Sequence, residues 1–442
     1  MKRDAESVMQ AWKTRQNRKP LVLMGARQVG KTWLMRSFAK QNFAHVHEFN
    51  FDDEPNLARI FNSTKDPQRI LPNLASISGH AIDLDKDVVI FDEVQSCPNA
   101  LNSLKYFNEK CPQLAIMSAG SLLGVRLKRD VGSSDRSDGT AYPVGKVELM
   151  DVEPMTFSEF LLERDPVLHG YYIGIDGRES IPEIFHSRLL DALGHYLVVG
   201  GMPECVSEYC NTGDVSRVRK IQRDLAALYE DDIIKYNGKI DGAKTLLVLR
   251  ALVPQLAKRN EKFIYGALKD GARARDYENA IEWLVSARIV RRVFNTSALK
   301  HPLSAYESRS AFKLYHLDVG LLREMAGVAP ESIILDKPFE FKGPFMENYV
   351  LQQLHGFGET SIKYHSERAE NEIDFVGQKG ECVVPIEVKA GSDKASASFK
   401  AFIKTEAPRF AVRFSRRNLR RDGGFINIPL YLAPRLAQCL GT

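Results

Sequence analysis

Residues 25–32 read Gly-Ala-Arg-Gln-Val-Gly-Lys-Thr, a complete match to the pattern G-x-x-x-x-G-K-[ST]. Few chains can carry these eight residues without folding as strand, tight loop and helix. The apolar run Leu21–Met24 precedes the pattern, and a helical segment running toward Lys40 follows it. Gly25 and Gly30 let the backbone wrap tightly, so that N–H groups across Gly25, Ala26, Arg27, Gln28, Val29 and Gly30 face inward. The start of the helix adds its positive end. Such a loop cradles phosphate oxygens: Lys31 would reach the β- and γ-phosphates of ATP and Thr32 would hold Mg²⁺.

A second element answers the first. Val88-Val-Ile-Phe-Asp92-Glu93 is a buried strand ending in two carboxylates. Asp92 would bind Mg²⁺, and Glu93 would polarise the water that attacks the γ-phosphate. The adjacent pair suits hydrolysis; transfer to a small molecule would not need the second carboxylate. The next apolar run ends at Ser118-Ala-Gly-Ser121. A hydroxyl there would sense the γ-phosphate; residue types do not choose between Ser118 and Ser121, and Ser121 is placed with the ATP ligands. Arg126 and Arg129 follow, and an arginine finger serving a neighbouring subunit and a pair of surface arginines are equal readings.

Short apolar strands at Leu21–Met24, 46–51, Val88–Phe91, Leu114–Met117 and 147–150 alternate with helical segments such as Asn99–Lys110. This predicts a parallel sheet covered on both faces, ending near residue 155. Residues 156–242 read as a helical subdomain, with helices over Phe157–Arg164, Glu183–Tyr196 and Val215–Tyr236 interrupted at Gly200-Gly201. Helices followed by short strands at Val290–Phe294 and Phe312–His316 suit a winged-helix module over 243–330. Residues 331–442 form a further α/β domain, with a helix over Phe345–His355 and strands at Glu372–Val376 and Cys382–Val388. A chain of 442 residues has room for about three domains or more.

The last domain carries the second chemical signal, Pro385-Ile-Glu387-Val-Lys389. On a strand, Glu387 and Lys389 share one face. If the hairpin turns at Gly380-Glu381, with glycine first as a type II′ turn requires, Asp374 falls directly opposite Glu387. Two carboxylates and a lysine then converge, with Glu347 on the preceding helix as a further ligand. Oxygen donors of this kind suit Mg²⁺ or Mn²⁺, and Lys389 would orient a water for attack on a phosphodiester. An exposed hairpin with cross-strand charge pairing is the competing reading.

Weaker signals remain. His45 and His47 share a strand face, and partly exposed strand histidines are favoured over a metal pair. Arg273 and Arg275 open a helix that would meet phosphates in a winged helix; a module used for packing or oligomerisation is an equal reading. Residues 391–442 hold ten basic and three acidic side chains, against a whole-chain net charge of +5. The run Arg413, Arg416, Arg417, Arg420, Arg421 is the most basic patch and would track nucleic acid, with a solvated face as the competing reading. The six scattered cysteines and the polar N-terminus suggest a reduced, cytoplasmic protein with no membrane segment.

These segments together resemble the prokaryotic AAA-type ATPases that end in the domain of unknown function 4143. The resemblance is carried by GARQVGKT (25–32), FNFDD (49–53), VVIFDEVQSCPNALNSLKYF (88–107), SAGSLLG (118–124), YPVGKVELMDVEPMTFSEFL (142–161), VGGMPE (199–204), FKLYHLDVGLL (312–322), FMENYV (345–350) and ENEIDFV with PIEVKAG (370–391). It covers nearly the whole chain. It implies an ASCE-type P-loop ATPase, a winged helix and a C-terminal domain similar to PD-(D/E)xK nucleases. It supports Lys31, Thr32, Asp92 and Glu93 as the ATP site, and Glu347, Asp374, Glu387 and Lys389 as matches to the nuclease pattern. Many relatives carry Gly-Arg where this chain has Gly145-Lys146, and no arginine finger is assigned there. Two functions follow as expectations. One is an ATPase acting on DNA or RNA, with a Mg²⁺-dependent nuclease site and assembly into a homo-oligomer such as a ring. The other is an ATP-driven oligomeric switch or scaffold whose nuclease-like domain is inert and binds a protein or nucleic-acid partner.

Overall fold

The computed structural model describes residues 1–120, 123–125, 145–258, 262–357, 362–366, 372–391, 397–422 and 424–441. The chain divides into two compact units, one of residues 2–153 with 286–288 and the other holding nearly all the rest.

The N-terminal unit is a five-stranded sheet in the order β2-β3-β4-β1-β5, with every pair parallel. The strands are β1 (Leu21–Met24), β2 (Val46–Asn50), β3 (Val88–Asp92), β4 (Ala115–Ala119) and β5 (Glu148–Asp151). Strands β1, β3 and β4 are buried at every residue, as continuous apolar runs inside a parallel sheet must be. Strand β4 lies between the phosphate-loop strand β1 and the carboxylate strand β3. Phe91 anchors the end of β3. Its ring meets those of Phe49, Phe51, Phe61 and Phe107 at centroid distances of 5.5 to 6.3 Å. Removing such a buried ring costs about 3–5 kcal/mol, so the position of the next residue, Asp92, is stiffly held.

The second unit contains helices, among them Phe157–Arg164, Glu183–Val199, Val215–Arg250 and Lys342–Gln353, and an eight-stranded mixed sheet in the order β12-β13-β11-β10-β9-β8-β6-β7. Its strands are β6 (Val290–Thr296), β7 (Glu307–His316), β8 (Lys363–Ser366), β9 (Glu372–Lys379), β10 (Cys382–Val388), β11 (Val412–Ser415), β12 (Arg420–Asp422) and β13 (Phe425–Pro429). The helix expected to stop at Tyr236 breaks there: Gly238, at φ 70° and ψ 178°, is non-helical, and a second helix follows it to Arg250. Strands β6 and β7 pair antiparallel and join the larger sheet through a parallel bridge from Asn295 to Tyr364.

Two of the resembling segments prove to be structural. Asp318, fully buried, caps the helix Val319–Met325 through Leu321 N–H at 3.0 Å and accepts from Gly201 N–H at 2.6 Å and Gln352 Nε2 at 3.0 Å. A Cβ at Gly200 would lie 2.3 Å from Asp318 Oδ1, and one at Gly320 would lie 2.6 Å from the Val199 carbonyl oxygen. The glycines of VGGMPE and of DVGLL therefore let two backbones close around one buried carboxylate, which would be costly to desolvate without these donors. Among the described residues no helix is long and apolar enough to cross a membrane.

Candidate active site

Each unit holds one cluster of chemistry-bearing side chains, positioned by its sheet. In the N-terminal unit β1 delivers the chain to Gly25, where no side chain fits: a Cβ would lie 2.3 Å from the Val152 carbonyl oxygen and 3.0 Å from Val29 Cγ2. The loop then passes through two left-handed residues, Gln28 at φ 64° and Gly30 at φ 90°. Gly30 caps the helix Lys31–Asn42 without a side-chain acceptor, which leaves the first N–H groups to an incoming anion. Arg3 braces the loop, donating to the Val29 carbonyl at 3.1 Å and the Glu153 carbonyl at 2.6 Å.

Lys31 is 7% exposed and folds back on its own loop, donating to the carbonyls of Gly25 at 3.0 Å and Ala26 at 2.7 Å. Burial lowers its pKa to about 8 against the pull of Glu93 and Asp92, with Arg27 and Arg288 adding to the fall. Thr32 Oγ1 donates to Asp92 Oδ2 at 2.8 Å. Burial pushes the Asp92 carboxyl above its ordinary range, and the Thr32 hydroxyl opposes that shift. A hydroxyl and a carboxylate side by side are hard oxygen donors that fit Mg²⁺.

Glu93 follows in left-handed backbone at φ 47°, a conformation that costs a non-glycine residue about 1 kcal/mol or more and is found at functional sites. Gln95 Nε2 donates to Glu93 Oε2 at 2.5 Å. Gly120 leaves room for that amide, since a Cβ there would lie 2.1 Å from Gln95 Oε1. Ser118 is fully buried, and its Oγ has no hydrogen-bond partner among the described residues. Ser121, Arg126 and Arg129 lie outside the described residues.

Three residues of this site carried no sequence signal: Arg3, Gln95 and Arg288. The N-terminal unit includes one short excursion of the later chain, Ser286–Arg288. Gly124 admits it, since a Cβ there would lie 2.3 Å from the Ser286 carbonyl oxygen. Arg288, in left-handed backbone at φ 60°, pairs with Asp151 at 2.5 Å. His45 and His47, the weak metal candidates, both bind Asp87, at 3.2 Å each, and His47 also meets Ser78 at 3.0 Å; they organise a loop.

In the second unit the hairpin of β9 and β10 has the expected register. Cys382 pairs with Lys379 and Ile386 with Phe375, so one further step sets Glu387 across from Asp374. The turn residue Gly380 has φ 56°. Val388 N–H donates to Asp374 Oδ2 at 2.6 Å, and Lys389 Nζ lies 3.2 Å from Glu387 Oε1. Glu347, Asp374 and Lys389 line a cavity of about 480 Å³; the buried Glu387 is not among its lining side chains. Tyr315 O–H donates to Glu347 Oε2 at 3.1 Å, and Lys313 donates to Glu372. Burial and the nearby Glu347 push the Asp374 carboxyl well above its ordinary range, while the Val388 N–H acts the other way. Among the described residues no three His, Cys, Asp or Glu side chains stand close enough together to hold a metal ion. The expected ligands Glu347, Asp374 and Glu387 are thus neighbours in the fold without meeting at one point.

The basic run also differs from expectation. Arg413 is buried in β11, bonded to Asn427 Oδ1 at 2.8 Å and stacked 5.0 Å from the Phe425 ring, and Arg416 pairs with Asp336 at 3.2 Å. Only Arg417, Arg420 and Arg421 of the five are exposed; β11 is buried at all four of its residues, Arg413 included.

Comparison with known families matches residues 17–161 to an AAA domain, residues 190–332 to a domain of unknown function (8612) and residues 342–433 to the domain of unknown function 4143. No curated protein matches the chain. Among solved structures, the Walker-type ATPase of Pyrococcus abyssi is similar at 16% identity and TM-score 0.45, over 73% of this chain and 95% of that one. The Orc1 protein of Aeropyrum pernix, solved in complex with DNA, has 13% identity and TM-score 0.28 over 73% and 90%. AMPPCP-bound DnaA from Aquifex aeolicus has 14% identity and TM-score 0.28 over 64% and 85%. At such values nothing about function passes from these proteins to this chain, and the fold rests on its own strand order.

Proposed function

We propose that this chain, which carries an AAA domain and the domain of unknown function 4143, binds ATP with Mg²⁺ and hydrolyses it to ADP and phosphate. The observation that carries the reading is the 2.8 Å bond from Thr32 to Asp92 beside a buried Lys31 on the phosphate loop. Backbone N–H groups from Gly25 to Thr32 receive the phosphates, and Lys31 swings from its own loop carbonyls to the β- and γ-oxygens. Thr32 and Asp92 would hold Mg²⁺, which when bound neutralises charge on those oxygens. Glu93 orients the attacking water and takes its proton. Ser118 or Ser121 senses the γ-phosphate, and Arg288 faces the same phosphates from its seat on Asp151. Phosphate release by purified protein tests the reading: wild type turns over and Lys31→Ala does not. Equal turnover in the two would overturn it.

The partner in this reading is DNA or RNA, supported by the basic C-terminal stretch and by exposed Arg273, Arg275, Arg417, Arg420 and Arg421. Nucleic-acid-stimulated ATPase with a steep salt dependence is the expected result. The partition into ATPase core (1–155), helical subdomain (156–242), winged-helix module (243–330) and nuclease-like domain (331–442) belongs to the same proposal. So does a homo-oligomer, which light scattering with and without ATP would detect. One observation favours the second reading, a switch with an inert nuclease-like domain: the carboxylates of that domain do not gather into a metal site among the described residues. Plasmid cleavage with Mg²⁺ or Mn²⁺, wild type against Asp374→Ala with Glu387→Ala, separates the two; cutting lost in the double variant would restore the nuclease.

A further inference from the structure

The C-terminal cavity does not fit the divalent cation that a nuclease-like domain implies, because its carboxylates already have donors of the protein's own. Strand β7 supplies two of them. Lys313 and Tyr315, two apart, share a strand face. The Lys313 ammonium donates to Glu372 and lies 5.1 Å over the Tyr364 ring; its side chain is only 12% exposed. The Tyr315 hydroxyl donates to Glu347 at 3.1 Å, its ring held 5.6 Å from that of Phe375. Asp374 accepts from Val388 N–H at 2.6 Å, and Glu387 meets Lys389 at 3.2 Å. A divalent cation needs several oxygens turned to one point, and here one oxygen of each of the four carboxylates is turned to a different donor.

We propose that the Lys313 ammonium takes the place of the metal in this domain, leaving an internally neutralised cavity that binds no divalent cation. The proposal rests on the reading of residues 331–442 as nuclease-like and goes beyond it in naming the residue that closes the site. A buried ammonium beside several carboxylates supplies the positive charge that would otherwise be drawn from solution, and a dication brought beside it would meet like-charge repulsion in a poorly screened place. Lysine delivers this charge on a long stem, with the ammonium itself over the Tyr364 ring.

The test is Mn²⁺ binding to the nucleotide-free full chain, read as free Mn²⁺ by electron paramagnetic resonance. Wild type and Asp374→Asn are expected to give superimposable titrations. Lys313→Met keeps the stem and removes the charge; it should gain one saturable site about tenfold or more tighter than any in wild type. That gain should vanish in Lys313→Met with Asp374→Asn. A wild-type site abolished by Asp374→Asn would overturn the proposal and leave the nuclease-like reading standing. A folded Lys313→Met that gains nothing would overturn the proposal and remove support for any latent metal site. If Lys313→Met does not fold, Lys313→Gln replaces it, and the comparison of wild type with Asp374→Asn decides alone. The ATP site is scored separately with a fluorescent ATP analogue, so its success or failure does not enter.

Discussion

The phosphate-loop site and the C-terminal cavity both gather carboxylates and a lysine, and they treat those charges in opposite ways. In the N-terminal unit the donors are provisional. Lys31 rests on two carbonyls of its own loop, and Asp92 accepts from two neutral donors, the Thr32 hydroxyl and the Glu93 N–H. In the second unit the charges are matched by other charges, Lys313 to Glu372 and Lys389 to Glu387. A buried lysine on carbonyls exchanges them for phosphate oxygens at little loss, because one set of acceptors replaces another. A buried lysine on a carboxylate cannot leave without stranding a charge, which costs several kcal/mol. On the two proposals, the first arrangement waits for a ligand and the second excludes a metal ion.

The largest effect that would break this contrast comes from Lys31→Ala. If the ammonium is free to transfer to phosphate, its loss lowers phosphate release by about 10³-fold or more; a loss below tenfold would show that Lys31 belongs to the loop and not to the ligand. Next in size is Glu93→Gln, which keeps shape and the Gln95 contact while removing the base. Turnover should fall by about 10²-fold or more with ATP affinity retained, measured by phosphate release beside a binding titration. Unchanged turnover would assign the water to another residue.

The contrast also has a pH signature. Lys31 titrates at about 8 because it is buried, so its charge is present below that pH and lost above it. ATP affinity should be level up to pH 8 and then fall by up to about tenfold per pH unit, followed by calorimetry from pH 7 to 9.5. Stability moves the other way: the folded pKa lies below the ordinary 10.5, so the ATP-free protein gains stability as pH rises from 8 toward 10.5. An affinity that stays level to pH 9.5 would show that the lysine is better solvated than its packing indicates.

What the sequence disclosed follows the same division. The five strands of the N-terminal sheet and the register of the β9–β10 hairpin were legible, because continuous apolar runs and a glycine turn act locally. Glu347, Asp374 and Lys389 were expected in one place and share one cavity. Lys313 and Tyr315 were not foreseen, since a strand lysine reads as solvent-facing until its neighbours across the sheet are known. Arg413 misled for the same reason: within β11 it turns inward to Asn427. Arg288 was invisible because only the folded chain returns residues 286–288 to the N-terminal unit.

The smallest predicted effect concerns Gln95, which separates a provisional donor from a fixed one within the ATP site. Its amide holds Glu93 at 2.5 Å, and Gly120 exists to admit it. If that bond only parks Glu93 between turnovers, Gln95→Ala removes about 1 kcal/mol of hydrogen bonding and changes turnover about fivefold or less, leaving ATP affinity untouched. If the bond instead sets the left-handed backbone at Glu93, the strain there is no longer supported and turnover falls as far as in Glu93→Gln. Steady-state phosphate release for Gln95→Ala, Glu93→Gln and the double variant distinguishes the cases. Near-additive losses mark independent roles, whereas a double variant no worse than Glu93→Gln marks Gln95 as acting wholly through Glu93.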